Sequence, residues 1–583
     1  ASTTRARISC SSATAIARGT ISYGYNPTTG QMTSIAASDG LDLAYTYDGA
    51  LLNTVTWSGL IAGTVARTYD NDFRVTGLAV NGTSVPFNYD ADSLLTGAGA
   101  MTLTRSPQNG LLTGTTLGNA TDAWTYNGFG EPVNYTASYG GSPIFQQQFT
   151  RDALGRIVQK VETIGGVTDT YVYGYDAAGR LAQVTKNAVV AATYTFDLNG
   201  NRLSATVAGV PTTGTYDDQD RMLTYGTATY AYTANGELLT TTDGAQVTTY
   251  AYDALGNLTS VDLPNGTSIG YRIDGRNRRV GRTVNGTPTQ GFLYQSDLRP
   301  VAELDSGNNV VSRFVYGTKV NVPEYLVKGG ATYRIVTDHL GSPRLVVDVA
   351  TGTVAQRMDY DEFGRVLSDT NPGFQPFGFG GGIYDQDTGL VRFGARDYDA
   401  ATGRWTSKDP VGVAGPDTNL YAFVRTDPVN YIDLDGRDPV SASTVNSVAS
   451  DPVAGVVSAQ SPTTGSSDGF VADPVAGFSG PTLDAPPTTP LQLGALSILT
   501  FAPASGGVCG GGSAPVLSQG RFNPRDYGKP FVYMTPLEKI IAARNPEQVK
   551  YQKAFKSTIT AAGRWLNPVA SPAQAWNQVR AGR

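Results

Sequence analysis

Residues Thr170-Tyr171-Val172-Tyr173-Gly174-Tyr175-Asp176-Ala177-Ala178-Gly179-Arg180-Leu181 read as a strand, a tight turn and the start of a second strand. The alternation over 170–175 has the two-residue period of a strand, and Leu181 to Val184 resumes it. Between them, Asp176 can accept from backbone amides two residues on, and Gly179 can take positive φ without steric cost. Asp-x-x-Gly therefore suits a hairpin connection. The Tyr175 ring is expected to pack on the neighbouring hairpin and keep its hydroxyl in water.

The same motif recurs along most of the chain. Clear copies are Tyr252-Asp253 with Gly256-Asn257, Tyr360-Asp361 with Gly364-Arg365, and Tyr398-Asp399 ending in Gly403-Arg404. Weaker copies stand at Tyr47-Asp48, Tyr69-Asp70, Tyr89-Asp90, Tyr126-Asn127, Arg151-Asp152, Phe196-Asp197 and Tyr216-Asp217. One hairpin is marginal alone, so the units are predicted to zip side by side, each covering the edge the last one exposes. The prediction is a mainly β chain built as one long continuous sheet of hairpins, with the repeat residues serving turns and packing rather than catalysis.

Composition agrees and narrows the function. Charged residues are 16% of 583, against roughly 25% in average proteins, and Gly reaches 69, which disfavours a coiled coil. A net charge of −6 gives the chain as a whole no electrostatic footprint for nucleic acid or membrane. Cys10 and Cys509 are too few for a disulfide framework, and the single His339 excludes His-rich zinc sites. No metal or cofactor is expected. The apolar run from Leu491 to Pro503 is shorter than the roughly 20 residues needed to span a bilayer. The chain starts at Ala1 with no basic-then-apolar leader, and reads as a processed product.

Beyond Gly436 the character changes. Residues 438–520 are rich in Ser, Pro, Gly and Ala and read as a linker or extended segment. Residues 521–583 hold 11 Lys or Arg against three acids. Thr535-Pro536-Leu537-Glu538 is a capping box, Asn545-Pro546-Glu547 restarts a helix, and Ser571-Pro572-Ala573-Gln574 repeats the signal. Three short basic helices are predicted there, as a toxin fragment or an anchor.

Three further stretches carry a resemblance: Asp338-His339-Leu340-Gly341-Ser342-Pro343-Arg344; Asp409-Pro410-Val411-Gly412 with Asn419-Leu420-Tyr421-Ala422-Phe423; and Asp427-Pro428-Val429-Asn430-Tyr431-Ile432-Asp433. With the repeats, they resemble the Rhs and YD-repeat family, which includes the C components of Tc toxins and, more distantly, teneurins. The resemblance covers roughly residues 20–437. It implies a hollow β-shell (cocoon) over 1–335, a plug over 336–437, and a variable C-terminal toxin segment enclosed or released. It also implies a secreted or cell-surface polymorphic toxin of interbacterial competition, delivered by a secretion or toxin system. Expected partners are its own C-terminal segment, a secretion-system component, and a second YD-repeat chain or N-terminal part that completes the wall. The alternative is a teneurin-like structural or adhesion protein without cleavage. His339, in its Asp-Gly-Ser-Pro turn, reads as structural.

Two carboxylates held close together cannot both ionise comfortably, and aspartic proteases use that asymmetry to activate water. Asp409 in Asp409-Pro410-Val411-Gly412 and Asp433 in Asp433-Leu434-Asp435-Gly436 stand in matching turn motifs; from spacing alone, these read as ordinary turn chemistry. The resemblance implies more: that Asp409 and Asp433 are the catalytic pair of an aspartic-protease-like self-cleavage, and that the bond cut is Arg437-Asp438. Leu434 and Arg437 depart from the family's usual Pro and Leu, and Arg437 is expected to bring a buried charge without an evident partner. Arg404 and Lys408 are expected close enough to Asp409 to depress its pKa, with Asp435 as a further supporting carboxylate.

Overall fold

The computed structural model describes residues 11–16, 19–415 and 417–442. Both cysteines, the apolar run 491–503, the linker beyond 442 and the predicted helices of 521–583 lie outside the described residues.

From Ser11–Ile16 to Val366–Asp369, 35 strands form one antiparallel sheet in which each strand pairs with its neighbours in the chain. The chain is mainly β, as its repeats predict. Alternation fixes the faces: in Ser142–Arg151, Phe145, Gln147 and Phe149 are buried while Gln146, Gln148 and Thr150 are exposed. Exposed cross-strand hydroxyls pair, as at Thr195–Ser204 (2.6 Å) and Thr215–Thr224 (2.7 Å).

The repeat turn is a closed set of bonds. Asp176 Oδ1 accepts from the backbone N–H of Ala178 (2.9 Å) and Arg180 (3.0 Å), Oδ2 accepts from Arg180 Nε (2.7 Å), and Gly179 takes φ +87°. Decayed copies keep the backbone: Phe73 (+63°), Asp220 (+59°) and Asn277 (+61°) adopt the left-handed conformation where glycine would stand. The arginine then stacks on the aromatic ring that opens the next repeat, as Arg156 does on Tyr175 (4.6 Å) and Arg180 on Phe196 (5.0 Å). The tyrosine hydroxyls are not left to water as expected. Tyr175 donates to the carbonyl of Ile157 (2.6 Å), Tyr216 to Arg202 (2.8 Å) and Tyr294 to Arg279 (2.6 Å). These three units are thereby fastened to the ones before them through a backbone oxygen.

The sheet rolls onto itself. Leu41, Leu43, Trp57, Val65 and Leu78 share a core with Val280, Leu293, Phe314 and Tyr316. Arg278 lies over Trp57 (5.2 Å), and Asn308 Oδ1 accepts from the Ala62 amide (3.0 Å). The returning strands are covered on both sides: Pro300–Leu304 is buried at every position, and in Val310–Val315 Arg313 reaches Thr83 while Phe314 meets the Phe377 ring at 5.0 Å.

The continuous sheet extends to Asp369, past the expected boundary at 335. After it come the short strands Ile383–Tyr384, Leu390–Phe393, Arg396–Asp399 and Arg404–Trp405, around a cluster of Phe379, Phe393, Tyr398, Trp405 and Phe423. Polar pairs fix this segment to the wall: Asn430 Oδ1 accepts from the Ile157 amide (2.8 Å), and Tyr421 donates to the carbonyl of Gly236 (2.7 Å). His339 donates through Nε2 to the carbonyl of Val429 (2.9 Å) beside Phe149, and burial pushes its pKa down to about 4. A neutral imidazole at this seam fits the structural reading.

Candidate cleavage centre

The centre is assembled where two turns interlock. Gly394 (φ +42°) and Gly436 (φ +71°) each allow an approach that a side chain would block: a Cβ would overlap the carbonyl oxygen of Asp435 at one and of Phe393 at the other. The Ala395 amide donates to Asp435 O (2.8 Å). This interlock places Arg396, 3% exposed, beneath the second aspartate motif.

Arg396 binds both predicted catalytic carboxylates through one nitrogen. Nη2 lies 2.9 Å from Asp409 Oδ2 and 3.2 Å from Asp433 Oδ2. Nε donates to Gly436 O (2.6 Å), and the guanidinium stacks over Trp405 at 4.2 Å. So the structure brings Asp409 and Asp433 together, through an arginine that the sequence reading missed.

The two carboxylates are not equivalent. Asp433 is 2% exposed, and burial pushes its pKa up to about 7 against the pull of Arg396, with Asp435 adding upward repulsion. Its Oδ1 accepts from the amides of Gly436 (2.8 Å) and Arg437 (3.0 Å). Asp409 is more open, with 13% side-chain exposure; desolvation raises it, Arg396 opposes, and Asp438 pushes it up further. Asp433 thus holds the residue before the Arg437-Asp438 bond, and Asp409 feels the charge of the residue after it.

The other expectations divide. Asp435 touches the centre, its Oδ1 accepting from the Arg437 amide (3.1 Å). Arg437 is half-buried rather than buried, and Asp438 is exposed. Arg404 lies away from Asp409: it donates to Asn201 Oδ1 (2.9 Å) and to Asp220 O, and stacks on Tyr216. Lys408 points to Gln219 Oε1 (3.5 Å). Neither depresses Asp409, whose pKa is raised instead. A signal for the site was nonetheless present: Asp433-Leu434-Asp435-Gly436-Arg437 is itself an Asp-x-x-Gly-Arg turn.

Residues 11–429 match the family described as Teneurin YD-shell. The chain belongs to the YD-shell family. Among curated relatives of this YD-shell chain, mouse (Mus musculus) Teneurin-4 is 29% identical over 410 residues, covering 67% of the chain and 14% of the teneurin. Human (Homo sapiens) Teneurin-4 is 28% identical over 447 residues, covering 73% and 16%. The tRNA3(Ser)-specific nuclease WapA of Bacillus spizizenii is 27% identical over 277 residues, covering 44% of the chain and 12% of the nuclease. The YD-shell chain thus spans about a seventh of the length of these relatives. Among solved structures, TcdB2-TccC3 superposes with a TM-score of 0.58 at 16% identity, over 73% of this chain and 27% of that one, a likeness of fold.

Proposed function

We propose that this YD-shell protein encloses or presents its segment 438–583 for delivery to another cell, and releases it by cutting its own Arg437-Asp438 bond. The supporting observation is a pair of unequal carboxylates on one guanidinium, one of which accepts from the Arg437 amide while the charge of Asp438 raises the other. Asp409, the more open and the closer to Arg396, is the base that takes a proton from water. Water oxygen adds to the Arg437 carbonyl carbon, Asp433 supplies its proton to the departing nitrogen, and the products are the Arg437 carboxylate and the Asp438 amine. Asp433 is suited to the acid role because burial holds its proton to about pH 7.

The mass spectrum of purified wild-type protein is expected to show fragments 1–437 and 438–583, and Asp409→Asn a single intact chain. An intact wild type sinks the protease assignment. Delivery is tested separately: residues 438–583 should intoxicate a sensitive cell and a tail-deleted chain should not. The extent of the teneurin likeness favours a second reading, an uncut secreted or cell-surface structural or adhesion protein. It predicts an intact wild type and no intoxication.

A further inference from the structure

The proposed centre carries Arg437 on the N-terminal side of its bond, where the family resemblance leads one to expect leucine. In the wall, the arginine closing each such turn is held by the aspartate that opens it: Arg74–Asp70 (2.8 Å), Arg156–Asp152 (2.7 Å), Arg221–Asp217 (2.6 Å) and Arg278–Asp274 (2.6 Å). At Asp433 that place is occupied differently. Oδ2 takes Arg396, and Oδ1 takes two amides.

Asp297 offers the complementary charge. It sits in the turn closed by the Gln295 amide on Arg299 O, and the arginine of that turn is committed elsewhere, donating to the carbonyls of Val320 (2.6 Å) and Lys319 (3.0 Å). A cavity lined by Asp297, Leu298, Gly394 and Leu434 joins this turn to the cleavage turn. The Asp297 side chain is 57% exposed and lines that cavity, and desolvation is the largest influence on its carboxyl. Against that desolvation, Arg276, Arg278 and Arg437 together hold it below the usual carboxylate range. Arg276 uses Nε and Nη2 on the two oxygens (3.1 and 3.2 Å), and a carboxylate keeps further lone pairs for a second guanidinium.

We propose that Asp297 is the specificity-determining residue of the cleavage centre, receiving the Arg437 guanidinium and so seating the Arg437-Asp438 bond between Asp409 and Asp433. The inference deepens the self-cleavage reading and rests on it for its catalytic consequence. It also explains how an arginine serves at this position: its charge meets an acid.

Two measurements test it on the full chain. In the uncut Asp409→Asn background, trypsin needs the Arg437 side chain for its own pocket, so docking on Asp297 protects that bond. Adding Asp297→Asn should raise tryptic cutting after Arg437 about tenfold relative to cutting after the exposed Arg425. Equal rates with and without Asp297 overturn the proposal, whether or not the protein cleaves itself. In the otherwise wild-type chain, Asp297→Asn should slow self-cleavage about tenfold. Arg437→Leu should make the rate indifferent to Asp297, and Asp297→Lys with Arg437→Glu should recover much of it, which a purely structural role for Asp297 would not produce. No recovery overturns the proposal. A wild type that never cleaves defeats the self-cleavage reading, while the tryptic result still judges the docking.

Discussion

Asp176 and Asp433 open the same five-residue turn, Asp-x-x-Gly-Arg, and reach opposite electrostatic states. In the wall, Asp176 is held by its own arginine and two amides, and these bonds hold it below the usual carboxylate range against a desolvation that pushes it up. In the segment after the sheet, Asp433 keeps two amides but shares a distant arginine with a second carboxylate, and burial carries it to about 7. The turn chemistry is common to both. What separates a fastener from a candidate acid is depth and the number of acids that one guanidinium must serve.

The largest expected separation is in cleavage. Asp433→Asn should reduce self-cleavage by roughly a thousandfold or more, measured by mass spectrometry over time, because a proton donor is lost. Asp176→Asn should leave cleavage intact and lower fold stability by about 1 kcal/mol in urea unfolding. Cleavage unchanged in Asp433→Asn would make the two turns equivalent in role.

Next come the arginines. Arg396→Met strands two carboxylates beside Trp405 and should cost about 3–5 kcal/mol. Arg180→Met removes a partly exposed pair and should cost about 1 kcal/mol or less. Equal losses would mean that burial does not distinguish the sites.

The pH profiles should run in opposite senses. Asp433 is raised above its unfolded value of about 3.9, so the stability it contributes is fully present below that value and lost as pH rises through about 7. Cleavage should fall over the same upper range, as the acid loses its proton. Asp176 is depressed, so its contribution is present above about pH 3.9 and lost as pH falls through its lowered value. Self-cleavage that rises steadily from pH 6 to 9 would reverse the acid assignment of Asp433.

The smallest effect lies within the wall. Phe73 stands at the glycine position of its turn with φ +63° and its ring 71% exposed, so Phe73→Gly should stabilise the protein by up to about 1 kcal/mol. Destabilisation would show that the exposed ring packs against something the turn geometry does not reveal.

The amino-acid sequence alone determined the strand-turn-strand unit, its repetition and the pairing of each strand with its chain neighbours, because alternation and Asp-x-x-Gly geometry act within a few residues. Asp409 and Asp433 by their spacing read only as turn chemistry, and it was the family resemblance that paired them; the Asp433–Arg437 turn was readable though it went unread. The roll of the sheet decided the rest. Arg404 lies five residues from Asp409 and serves Asn201 instead, while Arg396 joins Asp409 to Asp433 across two interlocked glycine turns. Likewise, the Tyr175 hydroxyl goes to the preceding unit's carbonyl rather than to water. Charge in a protein interior is paired by distance in space, and spacing along the chain carries no record of which faces the wound sheet will press together.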